Sequence, residues 1–157
     1  MKPTVYVETS VVSYYTARPS HNPIAREQQE ITQQWWPHAA RRFRLVVSEA
    51  VLLEVRVGDP QAAEKRLKAI KDFRILSVSE FCRAIANHYE KVLPLPKDAA
   101  ADAMHLAIAS VHGVDYLVTW NCTHLANALV RRALAETNSS MGLVTPIICT
   151  PEEMLEE

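Results

Sequence analysis

A chain of 157 residues is long enough for one compact domain, residues 1–157, to bury a core without disulfide or metal staples. With 48% hydrophobic and 22% charged residues it has the composition of a globular protein and excludes a low-complexity or disordered chain. Its 17 basic and 18 acidic residues leave a net charge of -1, which argues against a strong non-specific polyanion binder but leaves room for a local basic patch. Cys82, Cys122 and Cys149 are scattered without CxxC spacing and read as reduced thiols. No apolar run approaches the roughly 20 residues of a bilayer span, and no signal-peptide pattern precedes the first strand-like segment. A cytoplasmic protein with no membrane partner is expected.

In chain order, Thr4–Val7 is a β-prone run closed by Glu8-Thr9-Ser10, polar residues suited to cap a helix beginning near Val11. Prolines and an Asn break the chain over Arg18–Pro23. Ile24–Arg42 reads as a long helix that Pro37 should kink or split. Arg44–Val47 is a second strand with Ser48 as cap, followed by a helix over Glu49–Val57 stopped by Gly58. Pro60 opens a helix to Lys71, Arg74–Val78 is strand-like, and Ser79 caps a helix to Val92. After the Pro94-Leu95-Pro96 break, Asp98–His112 forms an Ala-rich amphipathic helix ended by Gly113. Tyr116–Thr119 is a buried-type strand, Thr123–Glu136 a helix, Asn138–Gly142 a loop, Leu143–Cys149 holds the last strand, and Pro151–Glu156 is a terminal helical turn. Strands alternating with helices imply an α/β fold with a parallel sheet, whose ligands gather outside the carboxyl ends of the strands.

Glu8, Glu54, Asp102 and Asn121 each stand where an apolar run ends or on a helix able to lean over that edge. Three carboxylates and an amide form an oxygen donor set suited to Mg²⁺ or Mn²⁺. Such ions polarise a phosphoryl oxygen, activate a water and stabilise a leaving oxygen. The segments Val5-Tyr6-Val7-Glu8-Thr9-Ser10, Ser48–Val55, Asp102–Ala109 and Tyr116–Asn121 resemble, in order, the four motifs of PIN domains, and most closely those of VapC-type toxin ribonucleases. The resemblance covers essentially the whole chain. It implies a three-layer α/β/α fold around a mostly parallel five-stranded sheet, and a metal-dependent endoribonuclease that hydrolyses RNA phosphodiesters by metal-activated water. It further implies a small antitoxin partner from a type II toxin–antitoxin system, a homodimer, and a single-stranded or structured RNA substrate. Carried over by position, Glu8, Glu54 and Asp102 are the acidic ligands, with Asn121 at the fourth corner and Thr9, Ser10, Thr119 and His105 in support.

Two residues depart from the family pattern. Glu8 stands where Asp is usual, and Asn121 replaces an Asp, removing one formal charge and favouring one ion over two. The alternative is a catalytically weak or inactive PIN-like protein that binds RNA or a protein partner.

Other features have competing readings. His105 lies three residues from Asp102 on one helix, and packing beside the site is favoured over a transition-metal site built with His88 or His124. His124 stands near enough to Asn121 to contact an RNA phosphate, although a structural role is the better expectation. Trp35-Trp36 with Arg41-Arg42 could stack on RNA bases, but structure or an interface is favoured. Lys65, Arg66, Lys68 and Lys71 form either a solvated face or a surface that steers a polyanion. No elbow-type nucleophile, GxGxxG or P-loop is present.

Overall fold

The computed structural model describes residues 1–155. The strands are β1 (Thr4–Val7), β2 (Arg44–Ser48), β3 (Arg74–Leu76), β4 (Tyr116–Val118) and β5 (Ile147–Cys149). The helices are α1 (Thr9–Thr16), α2 (Pro23–Arg42), α3 (Glu49–Val55), α4 (Pro60–Ala69), α5 (Glu80–Val92), α6 (Ala100–Val111), α7 (Ala128–Met141) and α8 (Pro151–Leu155). All strand pairs are parallel, in the order β3-β2-β1-β4-β5, so the sheet is flanked by helices as expected. Strand order reverses at β1, which lies between β2 and β4. That reversal opens a crevice at the carboxyl ends of β1 and β4, where Glu8 and Asn121 follow. Val5, Tyr6 and Val7 are fully buried, the pattern of a central strand covered on both faces.

Local chemistry explains where element boundaries differ from the sequence reading. Helix α1 starts at Thr9 because Glu8 itself is the cap, its carboxylate accepting from Ser10 N at 3.1 Å. Helix α2 is continuous through Pro37. Pro37 and Gln33 are both exposed, so the carbonyl that loses its intrahelical donor faces water. Helix α3 stops at Val55, α6 begins at Ala100, and Glu156 of the expected last turn lies outside the described residues. The expected loop at Asn138–Gly142 is instead the end of α7. Asn138 is buried there, accepting from the Tyr89 hydroxyl and donating to Ser110 Oγ at 3.0 Å. Those tertiary bonds hold the segment helical until Gly142, at φ 71°, supplies the left-handed stop.

The tryptophans are structural. Trp35 is fully buried, and Trp36 stacks on Tyr15 with ring centres 4.0 Å apart and on Phe73 at 5.6 Å. No ring face remains for an RNA base, which removes the stacking role for this pair. No helix among the described residues is long and apolar enough to cross a membrane.

Candidate active site

Each site residue is delivered by a strand end or a helix that starts there. Glu8 directly follows β1 and is 8% exposed. Its Oε1 accepts from Ser10 Oγ at 2.5 Å and from Thr119 Oγ1 at 2.6 Å, which fixes the longer Glu arm against the end of β4. Glu54 lies in the last turn of α3, where its Oε1 accepts from Thr9 Oγ1 and from His105 Nε2 at 2.8 Å. Ligand atoms of Glu8, Glu54 and His105 all lie within 4.8 Å of one another.

Asp102 and Asn121 form the other half of the site. Asn121 Nδ2 donates to Asp102 Oδ1 at 3.1 Å, while Asn121 Oδ1 accepts from the His124 backbone N–H at 3.0 Å. The backbone donor fixes which amide atom is which, so the oxygen is engaged in a turn and the nitrogen faces the carboxylate. His124 Nδ1 lies 2.9 Å from Asp102 Oδ2. A carboxylate can only accept, so this nitrogen carries the proton. Thr119 Oγ1 joins the halves, donating to Glu8 and accepting from Asn121 N at 3.0 Å. The four candidates and their supports thus fall into two hydrogen-bonded groups, Glu54 with Thr9 and His105, and Glu8 with Ser10, Thr119, Asn121 and Asp102, which approach each other where Glu8 faces Glu54 and His105.

The residues not singled out from sequence are Tyr6 and Ser48. The Tyr6 hydroxyl lies 2.6 Å from His105 Nδ1 and 2.8 Å from Ser48 Oγ, all three side chains being buried. Tyr6 is two residues before Glu8, on the same face of the strand. That spacing was the available signal. His124, considered as a phosphate contact or as a partner in a transition-metal site, is tied to Asp102.

A PIN-domain family model matches residues 5–121, which takes in all four site residues. The chain belongs to the PIN-domain family. No curated protein sequence matches it. Among solved structures it is similar to a toxin–antitoxin complex from Klebsiella pneumoniae, at 19% identity, TM-score 0.56, over 79% of this chain and 92% of that one. It is also similar to VapBC2 from Rickettsia felis bound to a promoter DNA fragment, at 14% identity, TM-score 0.54, over 94% and 98% of the two chains. The sarcin–ricin-loop-cleaving toxin VapC20 of Mycobacterium tuberculosis matches at 15% identity, TM-score 0.58, over 89% and 96%. At these identities the likeness concerns the fold.

Within this PIN site the His105–Glu54 pair gives a pH signature. Burial pulls the His105 pKa down, but its bond to Glu54 and the charges of Glu8, Glu54 and Asp102 outweigh burial and hold it above the usual 6.5. Burial raises Glu54, yet the bond and charge of His105 and the bond from Thr9 leave it below its ordinary 4.5. The histidine's contribution to stability is complete below pH 6.5 and is lost as pH rises through its raised folded value. That of Glu54 is complete above pH 4.5 and is lost as pH falls through its depressed folded value. In chelator, the stability advantage of wild type over His105→Gln is therefore expected to be greatest between pH 4.5 and 6.5 and to shrink on either side. Urea melts across pH test this; an advantage that keeps growing towards pH 9 would contradict the pairing.

Proposed function

We propose that this PIN protein, residues 1–157 forming one domain, is a metal-dependent endoribonuclease that hydrolyses RNA phosphodiesters, the toxin of a type II toxin–antitoxin pair acting in the cytoplasm. The observation that carries this reading is the convergence of Glu8 and Glu54 within 4.8 Å, bridged through Thr119 and Asn121 to Asp102, at the sheet's reversal point. Carboxylates so placed repel one another unless a cation lies between them. Their oxygens fit a hard divalent ion, Mg²⁺ or Mn²⁺. When bound, such an ion supplies charge for the phosphoryl oxygens and lowers the pKa of an attacking water.

The protein's own residues do the positioning. Ser10 and Thr119 hold the Glu8 carboxylate, while Thr9 and His105 hold Glu54. Asn121 gives Asp102 a donor instead of adding a fourth charge, so three carboxylates remain, enough for one well-held ion. The toxin assignment draws on family membership together with the toxin–antitoxin neighbours, and it carries with it a small antitoxin partner and a homodimer.

Purified protein incubated with single-stranded and structured RNA is expected to cleave with Mg²⁺ or Mn²⁺, and to stop both in chelator and as Asp102→Ala. Cleavage indifferent to chelator would sink the metal reading. One observation favours a second reading, a PIN protein that binds RNA or a protein partner without cutting. The Asn121 amide already occupies Asp102 Oδ1, as a cation otherwise would. That reading predicts RNA binding without cleavage in either metal.

A further inference from the structure

A groove of about 420 Å³ lies between the end of α1 and the start of α4, and its walls carry Arg18, Lys65 and Arg66 against a single carboxylate, Asp59. Asp59 is already engaged as the cap of α4, its Oδ2 accepting from Ala62 N at 2.9 Å. Arg66 is fixed by two main-chain carbonyls, donating from Nε to Val55 O at 2.9 Å and from its terminal nitrogen to Val57 O at 2.7 Å. Carbonyls orient a guanidinium without neutralising it. Among the described residues no carboxylate forms an ion pair with Arg18, Lys65 or Arg66.

The loop that presents Arg18 is held from beneath. Gln29, only 7% exposed, donates to Arg18 O at 3.2 Å and accepts from Ser20 N at 2.9 Å, clamping the main chain on both sides of Pro19. Pro19 removes a further degree of freedom. A cation on so constrained a loop loses less entropy when it meets its partner.

Helix α1 links the groove to the candidate site. Thr9, at the start of α1, bonds Glu54, and Thr16, at its end, lines the groove. At 1.5 Å per residue this separates the two by roughly 10 Å.

We propose that Arg18, Lys65 and Arg66 grip the phosphates of a single-stranded RNA beside the bond to be cut. This rests on the RNA-nuclease reading and names where the strand runs. An acidic protein helix would need an apolar strip to bury as well as cations to pair with, and no large apolar side chain lines the groove.

The test is fluorescence anisotropy of a labelled 12-mer oligouridine in chelator, titrated from about 50 to 300 mM salt, where counterion release makes the affinity salt-dependent. Relative to wild type, the double variant Arg18→Gln/Lys65→Gln is expected to bind at least about tenfold more weakly. Its salt slope should fall by about 1.4, since each phosphate contact on a single strand contributes roughly 0.7. Lys68→Gln/Lys71→Gln removes the same charge outside the groove and should stay within about twofold of wild type. Unchanged affinity and slope in the groove variant would overturn the proposal, as would equal losses in both pairs, which would mean net charge alone. Oligoglutamate bound as tightly as RNA and lost in the same variant would assign the groove to an acidic protein instead. Groove-dependent binding by a protein that never cleaves would remove the nuclease reading and leave this one. Normal cleavage with the groove variant still binding normally would do the reverse.

Discussion

Glu54→Gln is expected to lower metal-dependent RNA cleavage by about 100-fold or more, since even residues that only support a metal's ligands cost up to about that much. At a pH above the raised folded value of His105, where the imidazole is neutral, the variant's thermal stability should remain close to wild type. The amide oxygen of Gln can still accept from His105 Nε2 and Thr9 Oγ1, so the buried imidazole keeps its partner; what disappears is the charge. Glu54→Ala should lose as much activity and in addition destabilise the fold by about 1–3 kcal/mol, the cost of leaving a buried donor without an acceptor. In the intact fold His105 is 1% exposed, and Glu54 is the acceptor for its Nε2. Cleavage rates and urea melts on the two variants separate the charge from the hydrogen bond. A Gln variant that cuts RNA at near the wild-type rate would remove Glu54 from the metal site.

The same residue shows what the sequence could reveal. Glu54, Glu8 and Asp102 were legible because each ends or opens an element, and alternating elements send such positions to one edge of a parallel sheet. The strands were legible for a related reason: Val5-Tyr6-Val7 and Leu45-Val46-Val47 are apolar runs too short to be helices and are buried as central strands. What escaped was decided by contacts between distant segments. Asn138 reads locally as a loop former, yet Tyr89 and Ser110 draw it into α7 across 49 and 28 residues. Trp35 and Trp36 offered RNA a stacking surface until α2 folded them onto Tyr15 and Phe73. The Ser48–Tyr6–His105–Glu54 chain joins two strands and two helices, and neither periodicity nor capping rules report on such a path.

Asn121→Asp is expected to make the apo protein less stable and its hold on a divalent cation tighter. The substituted side chain can still accept from the His124 N–H, so the turn after β4 survives. Its second oxygen, however, replaces a donor that lies 3.1 Å from Asp102 Oδ1. An attraction becomes a contact between like charges, worth on the order of 1–4 kcal/mol at the dielectric of a partly buried site. Without metal, one of the two carboxylates must take up a proton or swing away, and the melting temperature in chelator should fall. With Mg²⁺ or Mn²⁺ present the same repulsion is relieved by the ion. The metal-induced rise in melting temperature should therefore exceed that of wild type, with a dissociation constant at least about tenfold lower, which corresponds to 1.4 kcal/mol of that range. Cleavage should be equal or faster, because a fourth charge adds to the field on the phosphoryl oxygens. Calorimetric titration with Mn²⁺ and paired melts with and without the ion give both numbers. If metal binding weakens while the apo protein keeps its stability, Asn121 does not stand in for a carboxylate at all, and Asp102 belongs with His124 in a site of different chemistry.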